Sequence, residues 1–168
     1  DYLRELRGTA QEALQEMRLL LFELRPPVLE EEGLVAALQT RLEAVERRSG
    51  LEIALNIEGN EDQLPLHVEE ALYRIALEAL NNALKHAQAH KVEVLLHQSP
   101  NCVKLEIVDD GLGFDPANLR QKGGMGLRGM QERARLAGGQ LTVDSRPDEG
   151  TKVLVEIAMK THQEVKHV

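Results

Sequence analysis

Glu78, Asn82 and the pair Lys85-His86 recur at intervals of three and four residues, the spacing that stacks side chains on one face of a helix. Arg74 joins them one turn earlier. The row offers a carboxylate, a neutral amide oxygen and one or two cations. An amide oxygen is a good ligand for a hard cation such as Mg²⁺, and a lysine can meet a phosphate as a point charge. Asn81-Asn82 points to a task, because asparagine competes with its own backbone and is disfavoured inside a helix. Further along, the strand-like VKLEIVDD runs into Gly111-Leu112-Gly113. An acid at a strand end followed by two glycines lets a backbone pass close to something flat or bulky. Each group also has a plain reading. A buried Asn can cap a loop, a helix Glu can be solvated, and adjacent Asp residues can make a turn.

The elements that must hold these residues follow from periodicity. Leu72, Ile75, Ala76, Ala79, Leu80 and Ala83 form the apolar face of a helix over about Leu66–His86, with Pro65 near its start. Gly33–Ser49 reads as a second helix, closed by Gly50, with the acidic run Glu30–Glu32 ahead of it suiting its dipole. Leu51, Ile53, Leu55 and Ile57 alternate as a strand, and Val92–His97, Val103–Asp109, Gln140–Ser145 and Lys152–Ala158 read as four more. Gly126–Ala137 is helical, ended by Gly138-Gly139. Asp115–Lys122 is polar and unpatterned, the composition of a mobile lid. Helices and strands in no strict alternation predict an α+β chain. Its expected form is a two-layer α/β sandwich, one mixed sheet with helices on one face.

Ahead of this lies a heptad seam of Leu3, Leu6, Ala10, Ala13, Met17, Leu20 and Leu24, widened by Leu14 and Leu21. It suits a four-helix bundle, or else an amphipathic helix lying on its own domain. Pro26-Pro27 stops that helix. The expected organisation is one long helix over residues 1–25, a folded domain over 26–160 and a polar tail over 161–168. The chain starts in mid-pattern without a Met, so it reads as part of something longer.

Composition narrows the partners. The net charge is −8 and aromatic residues are 2%, with no basic cluster, which argues against a nucleic-acid groove. No apolar run reaches the roughly 18 residues of a membrane span and no signal peptide is seen, so no membrane contact is expected of this stretch, while anchoring of the whole protein through segments ahead of it stays open. One cysteine, Cys102, excludes an intrachain disulfide and fits a reducing, cytoplasmic location. His67, His90, His97, His162 and His167 show no metal-ligand spacing.

Four stretches taken together resemble the GHKL ATPase superfamily, and within it the sensor histidine kinases. EALNNALKH is similar to the N box, DDGLGF to the G1 box, GGMGLRGM (123–130) to the G2 box, and Gly150-Thr151 to the signature of the final strand. Their order, their spacing and the turn at Leu24–Pro26 resemble the subfamily whose response regulators carry a helix-turn-helix output. The likeness covers about Leu3 to Ile157. It implies the GHKL (Bergerat) sandwich, with nucleotide held between helices and sheet. It also implies that residues 1–25 are the second helix of a dimerisation hairpin, pairing two copies in the whole protein.

The resemblance assigns roles residue by residue. Asn82 matches the residue that holds the Mg²⁺ bridging the phosphates of ATP. Glu78 matches an acid that activates water in hydrolytic relatives; in kinases it holds a magnesium-bound water or polarises the incoming imidazole. Lys85 would reach a phosphate, and His86 would either do the same or cap the helix through its dipole. Asp109 would accept from the adenine amino group, which guanine lacks at that position, with Gly111 and Gly113 turning the backbone under the ring. Thr151 would steady Asp109, directly or through a water. Gly124, Gly126 and Leu127 would close the lid, from roughly Phe114 to Gly126, and turn backbone N–H groups toward phosphate.

Other readings stay open. Gly124, Gly126 and Gly129 also spell G-x-G-x-x-G, but the fingerprint needs an apolar strand before it, and here NLRQKG is polar. A GHKL hydrolase, an anti-sigma-type kinase, a nucleotide-sensing module and a dimerisation adaptor remain alternatives. The acceptor box, a histidine followed by an acid, is not found, since no His precedes residue 67. The chain is thus expected to bind ATP without phosphorylating itself.

Overall fold

The computed structural model describes residues 27–60, 63–115 and 125–159. The seam over 1–24, Gly124, most of the expected lid and the tail lie outside the described residues. The elements run α1 (Pro27–Ser49), β1 (Glu52–Gly59), α2 (Leu66–Asn82), a π-helical turn (Ala83–Ala87), β2 (Lys91–Ser99), β3 (Cys102–Asp109), α3 (Met125–Leu136), β4 (Gly139–Ser145) and β5 (Thr151–Ala158).

The five strands form one mixed sheet in the order β1-β2-β3-β5-β4. β1 pairs parallel with β2 across the α2 crossover, and every other pair is antiparallel. Strand alternation puts Val92, Val94, Leu96, Val103, Leu105, Ile107, Val153, Val155 and Ile157 on one face, where they are buried. Leu38, Leu42, Leu72, Ile75, Leu80, Met130 and Ala134 of the helices close over them in one core. The opposite face carries Lys104–Glu156 at 2.6 Å and Lys152–Glu106 at 2.8 Å, exposed pairs that contribute little stability. This is the two-layer sandwich with helices on one face. Leu72 and Ile75 are fully buried, so truncating either to Ala is expected to cost about 2–5 kcal/mol.

α1 starts earlier than its periodicity suggests. Pro27 is its first residue, a position where the missing N–H has no partner to lose. The helix kinks at Gly33, which has φ +82°. The break leaves the N–H groups of the following segment without partners from the preceding turn. The buried carboxylate of Glu69 on α2 accepts from the Leu34 backbone and caps the second segment from outside. Leu29 is buried in the shared core and anchors the first segment. Glu30–Glu32 therefore lie within the helix instead of before it.

Candidate functional site

α2 owes its position to its apolar face, which sinks into the sheet and leaves Glu78 and Asn82 half-buried on the flank. At Asn82 the helix widens into the π turn, and Gln88 follows in the left-handed region at φ +50°. In such a turn each residue advances through a smaller angle, so the residue three on falls short of a full turn while the fourth returns near it. This separates the two cationic candidates. Both side chains are exposed, but His86 stays on the wall with Asn82, whereas Lys85 does not line the cleft.

The facing wall is β3 and the turn after it. Asp109 is 8% exposed, with Oδ1 accepting from the Gly111 N–H at 3.0 Å. Burial raises the carboxyl above its ordinary range; the backbone N–H groups of Gly111 and Thr151 pull it partly back, and the neighbouring Asp110 adds to the rise. Thr151 thus steadies Asp109 through its main chain, while its hydroxyl lies 3.0 Å from Ser145 Oγ. Gly111 packs on the end of the π turn. A Cβ there would come within 2.5 Å of Ala87 Cβ and press on the Ala87 carbonyl. That carbonyl accepts from Leu112 N–H at 2.7 Å, so the turn after β3 and the end of α2 are bonded together. Gly113, at φ +57°, crosses directly over the carbonyls of Arg146 and Gly150.

Asp110 has a different task from its neighbour. It is exposed, and its Oδ1 accepts from His90 N–H at 2.8 Å and Lys91 N–H at 2.9 Å. Those two bonds, Lys91 first, hold its carboxyl below the ordinary range. The pair Asp109-Asp110 therefore divides into one residue facing the cleft and one latching the chain that leaves the π turn.

Between the walls opens a cleft of about 500 Å³, a size suited to a nucleotide. Glu78, Asn82 and His86 line one side and Asp109, Gly113 and Thr151 the other. Gly126 and Leu127, at the start of α3, close it. Gly126 lies directly against the Glu78 carboxylate, which an added Cβ would push aside. Ala79, Ile107, Phe114, Met125 and Val153 supply apolar surface. Gly111 supports the site from behind, and Gly124 lies outside the described residues. Among the described residues no three His, Cys, Asp or Glu side chains converge on a metal position. The oxygen donors available on this wall are the Asn82 amide and the Glu78 carboxylate. That set fits a cation whose remaining ligands are phosphates and water, as Mg²⁺ prefers.

The sequence did not single out Asp110 as a latch, nor Ser145 and the apolar lining, and it marked Phe114 only as the start of the lid. The signal for Ser145 was present but faint: a serine ending a strand just before the turn Arg146–Gly150.

The family described as histidine kinase-, DNA gyrase B-, and HSP90-like ATPase matches residues 67–161. The signal transduction histidine-protein kinase/phosphatase DegS of Brevibacillus brevis is 33% identical over 161 residues, spanning 96% of this chain and 42% of its own length. The oxygen sensor histidine kinase NreB of Staphylococcus carnosus is 34% identical over 157 residues, spanning 94% of this chain and 45% of its own. The chain thus spans less than half the length of these curated relatives. Among solved structures, the histidine kinase AdeS of Acinetobacter baumannii superposes with a TM-score of 0.63 at 16% identity, over 94% of this chain and 82% of that one. The mycobacterial sensor histidine kinase MprB gives 0.56 at 24% identity, over 74% of this chain and 93% of its own. At these identities the structural likeness speaks for the fold alone.

Proposed function

Because the chain belongs to the histidine kinase-, DNA gyrase B- and HSP90-like ATPase family, in its sensor histidine kinase branch, we propose that it holds Mg-ATP in this cleft for transfer of the γ-phosphoryl group to a histidine. The observation that carries the reading is the pairing of a buried acceptor, Asp109, with the Glu78–Asn82 wall across one cleft of nucleotide size. The Asp109 carboxylate takes the 6-amino group of adenine, and Ile107 and Val153 flank the base. Asn82 offers its amide oxygen to Mg²⁺, which would neutralise charge on the phosphates. The first turn of α3, at Gly126 and Leu127, lines the same cleft and would offer backbone N–H groups to the phosphates, as a helix N-terminus does. Glu78, beside Gly126, would polarise an incoming imidazole or hold a metal-bound water. Catalysis then rests on positioning and charge neutralisation.

In the whole protein the phosphoryl group would pass onward to a response regulator with a helix-turn-helix output. Residues 1–25 would pair two copies, and the domain would work in the cytoplasm. No helix among the described residues is long and apolar enough to cross a membrane. Since no histidine precedes residue 67, this chain alone is expected to bind Mg-ATP and leave it unspent.

Calorimetric titration with ATP and GTP tests the reading. Wild type should prefer ATP. Asp109→Ala should weaken ATP at least several-fold, because losing a buried acceptor costs roughly 1–3 kcal/mol, and should leave GTP nearly unchanged. Equal loss for both nucleotides would make Asp109 structural and sink the proposal.

A further inference from the structure

Ser145 ends β4 behind the cleft wall, 6% exposed and outside the lining itself. Its hydroxyl has three neighbours. The Phe114 N–H donates to it at 2.9 Å, the Gly150 carbonyl lies at 3.0 Å, and Thr151 Oγ1 lies at 3.0 Å. A serine hydroxyl carries one proton and two lone pairs. The Gly150 carbonyl can only accept, so it takes the serine's proton. The Phe114 N–H uses one lone pair. All three contacts are made only if Thr151 donates its proton to the remaining one. Thr151 has then spent its single proton on Ser145. Toward the cleft, where it lies beside Asp109 in the β3–β5 register, Thr151 Oγ1 is an acceptor only.

We infer that Ser145 sets the hydrogen-bond polarity of the base site: by drawing the Thr151 proton away from the cleft, it makes the pocket favour a 6-aminopurine over a 6-oxopurine. The inference rests on the reading of the cleft as an adenine site and deepens it. An amino group presents N–H donors to two acceptors, Asp109 and Thr151. A 6-oxo group presents an acceptor to the same pair, setting lone pairs against lone pairs and giving up its own hydrogen bonds to water without replacement. Without Ser145 the Thr151 hydroxyl can rotate and donate into the cleft, and the 6-oxo group gains a partner. Ser145 does not touch the base; it is a specificity-determining residue acting through Thr151.

ATP and ITP are the probes, since hypoxanthine carries the 6-oxo group without the 2-amino group of guanine. Dissociation constants are measured for wild type, Ser145→Ala, Ser145→Cys and Ser145→Thr, each with a melting curve. Wild type should bind ATP at least tenfold more tightly than ITP. Ser145→Ala should shrink that ratio by about five- to tenfold, chiefly by tightening ITP, the size expected of one hydrogen bond. Ser145→Thr keeps the hydroxyl and should keep the ratio. Ser145→Cys, close in volume and a weak acceptor, should also shrink it and carries the comparison if the alanine protein does not fold. A variant that loses ATP and ITP equally, leaving the ratio intact, overturns the inference and makes Ser145 a packing residue. A wild type that does not distinguish ATP from ITP removes the adenine reading beneath it, which is a separate failure visible before any variant is made.

Discussion

Gly111→Ala probes the joint between the two walls of the cleft. Gly111 does not need a left-handed conformation; what excludes a side chain is Ala87. An added Cβ would lie 2.5 Å from Ala87 Cβ and 2.9 Å from its carbonyl carbon. Ordinary contact begins near 3.4 Å, so the turn after β3 and the end of the π turn must part by about 1 Å. Neither side is a flexible side-chain tip, so backbone must move. Overpacking of this kind costs about 1–3 kcal/mol. The Leu112 N–H bond to the Ala87 carbonyl, 2.7 Å in the native protein, is stretched with it, adding about 1 kcal/mol. The sum, about 2–4 kcal/mol, corresponds to a fall in Tm of roughly 5–15 °C for a domain of this size. Asp109 accepts from the Gly111 N–H, so its carboxylate is displaced too. ATP affinity should fall at least about tenfold, since a misaligned bond to a charged group forfeits 1.5 kcal/mol or more. Gly50→Ala is the control. Gly50 has φ +72° but open space around it. Its penalty is conformational, about 1–2 kcal/mol, and ATP binding should stay unchanged. Circular dichroism melts and ATP titration read both variants. Gly111→Ala with wild-type Tm and wild-type affinity would refute the claim that this contact joins the walls.

Three further outcomes are expected. Asn82→Ala should erase most of the magnesium-dependent part of ATP affinity while adenosine binding persists; a full magnesium response in a folded variant would remove Asn82 from the metal. Glu69 titrates above its ordinary value of 4.5, through burial, with the Leu34 backbone bond opposing. The native state then keeps its proton to higher pH than the unfolded chain, so stability falls as pH rises from the unfolded value through the folded one. Glu69→Gln should retain the cap on Leu34 and raise Tm at neutral pH, with the gain vanishing below the carboxylate range; an unchanged pH profile would discount the buried carboxylate. Incubation with γ-labelled ATP should leave the chain without acid-labile phosphohistidine, and fusing a histidine-bearing hairpin helix ahead of Asp1 should restore labelling that Glu78→Gln then slows. Stoichiometric label on any of its own six histidines would contradict the separation of acceptor and catalyst.

Much of this protein is written locally. The five strands are legible because alternation at a period of two is a property of adjacent residues, and the observed strands differ from it by a residue or two at their ends. The stripe Leu72–Ala83 likewise fixes which side of α2 is buried, which by itself turns Glu78 and Asn82 toward one flank. The four glycine-bearing and asparagine-bearing stretches name the family without any coordinates. What sequence could not decide are contacts between residues far apart along the chain. Lys85 and His86 are equivalent on an ideal helix; only the π turn, where the helix end is bonded to the Leu112 N–H, keeps one on the wall and turns the other away. Asp109 and Asp110 are adjacent and identical in type, yet their roles separate because Lys91 and His90, some twenty residues back, present N–H groups to one of them. The kink at Gly33 survives because a carboxylate on the next helix caps it. Ser145 acquires its meaning from Phe114, 31 residues earlier. Periodicity carries the burial of apolar surface, which is non-directional and tolerant of position. Hydrogen bonds require distance and angle together, and those are set only when the layers have packed.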